Sequence, residues 1–167
     1  MNFKELYEKV NQSEMFNNFI KENPTAELIA GFFILDFLSH DTKNSLDYKI
    51  GEKVFTFSID DKEKLSMNED KLIDSPDHPP LTKILPETKV EVDELKSIAG
   101  TKALDQGVHS KFHKIIAVLQ NYQDKQIWNL TCMLDELIIL NILIDCNSGE
   151  IIKFEKKSIM SFIKRTR

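Results

Sequence analysis

The stretch from Ile127 to Glu155 constrains this chain more than any other. It is the most apolar and β-branched segment of the 167 residues. Two interruptions divide it. Asp135-Glu136 breaks its first run, and Asn147-Ser148-Gly149 supplies a turn in which Gly149 takes positive φ without a Cβ penalty. The expectation is a three-stranded antiparallel meander over residues 127–134, 138–146 and 150–155.

The rest of the chain reads as elements that pack on that sheet or repeat it. Phe3, Leu6, Tyr7 and Val10 form one helical stripe, and Phe16, Phe19 and Ile20 another that points elsewhere. The chain therefore bends at Asn11-Gln12, Ser13 caps a second helix, and Asn23-Pro24 ends it. Ala26 to Leu38 is too aromatic and branched for a helix and reads as a strand, bulged at Gly31. Leu46–Ile50 and Val54–Ile59 are strands joined at Gly51-Glu52, and Leu65–Met67 is a short third one after the polar turn Asp60–Lys64. Residues 68–89 hold Pro76, Pro79, Pro80 and Pro86 and form a linker or extended cover, tacked down by Leu81, Ile84 and Leu85. Asp93 then caps a long helix running to about residue 120, its buried face made by Leu95, Ile98, Leu104, Val108, Phe112, Ile115, Ile116 and Leu119. Gly100 and Gly107 weaken it and divide it if either one breaks it. Ser158 to Ile163 reads as a short closing helix.

Phe57-Ser-Ile-Asp-Asp-Lys-Glu-Lys-Leu65 matches Ile142-Leu-Ile-Asp-Cys-Asn-Ser-Gly-Glu-Ile151 in pattern, and each half leads with a helix and continues in strands. A degenerate duplication is the economical reading. The second copy carries a family likeness. Trp128-Asn-Leu-Thr131, followed by Ile144-Asp-Cys-Asn-Ser-Gly-Glu-Ile151, resembles the aromatic-led strand and hairpin of PepSY domains and their wider cystatin-like relatives. That resemblance implies a helix packed on a twisted antiparallel sheet. PepSY domains are mostly secreted or membrane-attached regulators of peptidases, whereas this sequence shows no export signal.

The expected class is α+β: two cystatin-like helix-plus-sheet units, residues 1–67 and 90–167, joined by 68–89 and sharing one mostly antiparallel sheet with the helices on one face. Trp128 should lie between sheet and helix with its indole N–H partnered, while Asp145 and Gly149 shape the last turn. The groove between the helices, or the uncovered face of the sheet, is then the surface for a ligand or partner protein.

Charge and motif content narrow the function. A net charge of −5 argues against a general polyanion-binding surface. Residues 150–167, with Lys153, Lys156, Lys157, Lys164, Arg165 and Arg167, are the one basic stretch, and they raise a weak nucleic-acid-binding alternative. Cys132 and Cys146 lie outside any zinc spacing and read as buried thiols in a reducing compartment; with no leader and no membrane span, the expected location is cytoplasmic. Asp105, His109 and His113 at four-residue steps are the one metal-like pattern, supporting a small metal-dependent hydrolase as the enzymatic alternative. Along a straight helix their direction drifts by about 80°, which suits three-point chelation poorly. Asp60-Asp61 and Asp135-Glu136 fall at turns, and His40-Asp41 and Asp77-His78 are loop neighbours. With no nucleophile, phosphate-loop or dinucleotide motif, the reading is a non-catalytic binding or regulatory module without a cofactor.

Overall fold

Every strand of this chain alternates its side chains between two faces, and the helices have enough apolar surface to cover only one of them. The computed structural model, which describes residues 1–39, 42–71 and 81–158, resolves this as one antiparallel sheet with helices on a single side. The elements in order are α1 (Phe3–Gln12), α2 (Glu14–Glu22), β1 (Glu27–Asp36), β2 (Asn44–Ile50), β3 (Lys53–Ile59), β4 (Leu65–Lys71), α3 (Val92–Asp105), β5 (Phe112–Tyr122), β6 (Lys125–Leu134), β7 (Ile138–Asp145) and β8 (Ile151–Ser158). The eight strands lie in the order β4-β3-β2-β1-β5-β6-β7-β8. Each half is a helical lead followed by a four-stranded meander, and β1 meets β5 antiparallel at the centre, from Gly31 beside Leu119 to Asp36 beside Lys114.

The helix-side core follows from the sequence stripes. Phe3, Leu6 and Val10 of α1, Phe16 and Phe19 of α2, and Val92, Leu95, Ala99 and Ala103 of α3 are buried against Phe33, Phe57, Leu119, Trp128, Leu130 and Ile142 of the sheet. Phe16, Phe19, Tyr48 and Phe57 form an aromatic cluster with ring centroids as close as 4.9 Å, and the Tyr48 hydroxyl accepts a hydrogen bond from Asn11 at its rim (3.3 Å). Ser13 caps α2 through the Phe16 N–H (3.2 Å). The indole of Trp128 is fully buried, edge-on to Phe33, and donates to the Val90 carbonyl just before α3 at 2.7 Å. The Asp145 carboxylate accepts from the Asn147 and Ser148 N–H groups, holding it below the usual carboxylate range, and Gly149 follows at φ +76.

Several expectations are corrected. The helix over 93–120 ends at Asp105: Gly107, at φ +77, turns the chain, and Phe112 to Tyr122 is the central strand β5. The buried residues Ile115, Ala117 and Leu119 alternate there at period two with half-buried ones, the pattern of a strand covered on one face. Leu104 is 59% exposed, because α3 turns Ala99 and Ala103 inward instead. Glu91, not Asp93, precedes α3, with its N–H bonded to the Glu94 carboxylate (2.8 Å). The irregularity in β1 lies between Leu28 and Ala30 and not at Gly31. Gly31 is bare because Phe3 lies on it: a Cβ there would stand 2.9 Å from the Phe3 ring. β4 runs on to Lys71, and Ser158 ends β8; residues 159–163 of the expected closing helix lie outside the described residues.

The connection into α3 is pinned across the end of the sheet. Ile84 is buried and donates to the Leu28 carbonyl (2.9 Å), while Leu85 faces solvent. The Gln126 carboxamide accepts from Leu85 N–H and donates to the Leu85 and Glu87 carbonyls, and Lys89 and Val90 donate to the Cys146 carbonyl.

Two stability outcomes follow. Trp128→Ala, which removes the largest buried side chain and leaves the Val90 carbonyl with the Thr88 hydroxyl as its remaining donor, should cost about 3–5 kcal/mol in urea unfolding; a loss under about 1 kcal/mol would show that the two halves hold without it. Gly31→Ala should cost about 1–3 kcal/mol, because Phe3 can retreat only by lifting α1 off β1. The double variant Gly31→Ala with Phe3→Leu should recover part of that loss.

Candidate functional site

The face of the sheet without helices is where polar side chains stand inside otherwise apolar strands. Cross-strand register aligns them in rows. Phe32 lies beside Val118, Val118 beside Asn129, Asn129 beside Leu143 and Leu143 beside Lys153. The next row runs from Ile34 through Ile116, Thr131 and Asn141 to Glu155. On the other side Ala30 stands beside Asp47, which pairs in turn with Thr56. Strand twist, together with irregularities at Leu28/Ala30, Phe112/Lys114 and Leu143/Ile144, curls this face inwards.

The result is a trough of about 550 Å³ reaching from Asp47 on β2 to Lys153 and Glu155 on β8. Its floor is Ala30, Phe32, Val118 and Leu143; Gln120, Asn129 and Asn141 rise from it, and Leu81 and Tyr122 stand at one end. The size and mixed lining are those of a small-molecule or short-chain site. The carboxamides of Gln120, Asn129 and Asn141 are half-buried and make no hydrogen bond to other described residues. Asn121 Oδ1, at the same end, is buried without a partner among them. At the far end Lys153 Nζ is 3.2 Å from Glu155 Oε1, both side chains about half exposed. A second hollow of about 350 Å³, lined by Lys83, Glu87, Asp124 and Asn147 among others, adjoins it at the strap that Gln126 holds.

Asp47, at the β2 end of the trough, has a perturbed acidity. Burial pushes it above the usual carboxyl range; the Thr56 hydroxyl, donating to Oδ1 at 2.7 Å, pulls it back, and the nearby Asp70 charge pushes it up again. Several ionisable groups elsewhere have structural partners or are buried. Asp36 is held down to about 2 by the Ser39 and Leu38 N–H groups and Lys114. Burial pushes the Cys132 thiol up to about 12 and raises Cys146, so neither is a ready nucleophile.

The metal-like pattern does not survive the fold. Asp105 ends α3, His109 follows in the connecting loop, and His113 lies on β5 in an ion pair with Asp135. Among the described residues no group of three or more His, Cys, Asp or Glu is placed to hold a metal ion. Asp60 serves its turn, accepting from Lys62 and Lys64 N–H groups. His40, Asp41, Asp77 and His78 lie outside the described residues, as do Lys164, Arg165 and Arg167; Lys153, Lys156 and Lys157 are spread along the edge strand β8. Sequence reasoning missed Gln120, Asn129, Asn141 and Asp47. The available signal was the single Asn inside each of two apolar strands, Ile127-Trp-Asn-Leu130 and Ile139-Leu-Asn-Ile142.

No family model matches the chain, and no curated protein is similar to it. Among solved structures it is similar to the crystal structure of a "putative lipoprotein" from Clostridium difficile 630, with a TM-score of 0.58 and 16% sequence identity over 86% of this chain and 91% of that one. At that identity the likeness is one of fold. No helix among the described residues is long and apolar enough to cross a membrane.

The Asp47 environment has a pH signature. The folded chain holds this proton more tightly than the unfolded chain does. Asp47's contribution is therefore most favourable below the ordinary carboxyl range, and it declines as pH rises through that range to the raised folded value. Relative to the parent, Asp47→Asn should gain stability between about pH 3 and pH 7. A difference in urea midpoint that stays flat over that interval would place the Asp47 carboxylate in solvent-like surroundings.

Proposed function

We propose that this chain is a non-catalytic binding or regulatory module whose ligand lies in the trough on the helix-free face. The observation that carries this is the set of unpaired carboxamides standing over an apolar floor. Solvent still reaches these amides, and a ligand that takes over their hydrogen bonds also covers the apolar floor between them. Against catalysis stands the chemistry of the lining among the described residues: its acids are Asp47, bonded to Thr56, and Glu155, paired with Lys153, with no described histidine or cysteine beside them.

The duplication and the PepSY-like, cystatin-like ancestry belong to the same proposal. Supporting them are the order of each half, helical lead then meander, and the near-mirror strand order about the β1–β5 seam. A cytoplasmic, reducing setting accords with Cys132 and Cys146 as free buried thiols. The lipoprotein description of the fold neighbour offers the other setting, a membrane surface, which fractionation of the native cell distinguishes.

The test is resonance mapping on isotope-labelled protein against a mixture of small amides, sugars and short fatty acids. Backbone signals of Phe32, Val118, Asn129 and Leu143 should move together on titration. Shifts confined to the helix side, or none at all, would refute the trough as the ligand site.

A further inference from the structure

The three trough carboxamides are not scattered. Gln120 stands beside Ile127, two residues before Asn129; Asn129 stands beside Leu143, two residues after Asn141. Each step from Gln120 to Asn129 to Asn141 therefore crosses one strand and advances two residues in the same direction. Such diagonal neighbours lie about 7–8 Å apart, somewhat less between Cβ atoms. An extended polypeptide presents the N–H and C=O of one residue to the same side every second residue, a repeat of about 6.8 Å. A carboxamide carries both an acceptor and donors, so each can take both groups of one residue.

We propose that the trough binds a short extended peptide along this diagonal, its backbone read by Gln120, Asn129 and Asn141. This rests on the trough being the ligand site. Peptide side chains on either side of Asn129 then rest on its row neighbours Val118 and Leu143, which are apolar and unselective. Selectivity comes from the ends. At the β2 end Asp47 has one hydrogen bond among the described residues, from Thr56, and no cation paired with it there, while the acid Asp70 adds a second negative charge nearby. That end takes a lysine, an arginine or a free N-terminal amine. The β8 end offers Lys153 already paired with Glu155 and selects little. A polyanion would meet Asp47 and Glu155 inside the trough.

The probe is an N-acetylated hexapeptide of alternating valine and threonine led by lysine and labelled with fluorescein at its C-terminus, with an N-acetylated glutamate-led counterpart, followed by anisotropy. The lysine-led peptide should bind saturably and about tenfold more tightly than the glutamate-led one. Asn129→Leu and Asn141→Leu, both on the open face of the sheet, should each weaken it about fivefold. Asp47→Asn should erase the difference between the two peptides. Urea midpoints of all three variants check that they fold, and Asn129→Asp, which keeps the shape but loses the donors, provides a second reading at that position. Peptide binding that ignores these substitutions would overturn the proposal. So would resonance shifts in the trough produced by maltohexaose or decanoate but not by either peptide, although the trough would then stand as a ligand site. Silence of the trough towards all of these probes would sink both.

Discussion

Six residue pairs between β1 and β5, from Gly31 beside Leu119 to Asp36 beside Lys114, turn two four-stranded meanders into one sheet. Much else depends on that seam. On the helix side it brings Phe33 of the first half edge-on to Trp128 of the second, and it brings α1 close enough that Glu91, ahead of α3, accepts the N–H of Phe3 at 2.9 Å. On the other side it joins Phe32 to Val118, so that a trough spans both halves and belongs to neither alone. A four-stranded unit by itself would have only part of that floor.

The two faces of the sheet obey different energetics. Helices cover one face with aromatic and branched side chains, and its polar groups are few and bonded, as with the Trp128 indole on Val90. The other face keeps Asn and Gln at positions where Val or Ile would pair better across strands. Among the described residues those amides have no hydrogen-bond partner, so they stay half-buried and open to solvent or to a ligand.

Much of the fold was legible because strands and short helices write their periods plainly. The β2–β3 hairpin around Gly51, the β6–β7–β8 meander and both N-terminal helices sit within a few residues of where pattern places them. The failure at 106–120 has a specific cause. Val108, Phe112, Ile115, Ile116 and Leu119 fit a helical stripe as well as an alternating strand, because β5 also carries apolar side chains, Ile116 and Val118, on its helix-free face and these blur the period. Gly107 decided it, and its φ of +77 is invisible in sequence. The same error hid the site: Gln120 on a helix cannot join Asn129 and Asn141 on a diagonal. It also created one, since Asp105, His109 and His113 align only if the helix continues.

The sheet remains open at β4 and β8, and both edges are written against pairing. β4 ends in Glu69, Asp70 and Lys71, and β8 alternates Lys153, Glu155, Lys156 and Lys157 around Phe154. Edge strands so charged resist extension by another chain, because each added ladder bond buries part of a lysine or carboxylate stem without a partner for its head. A peptide joining this molecule by its backbone is therefore turned away from the edges, where main-chain groups are available but guarded. On the open face the guard is absent: side-chain amides there offer the same donor and acceptor pair that an edge strand would, at the spacing of a strand, over a floor that rejects nothing apolar. The face offers in side chains what the edges withhold in backbone.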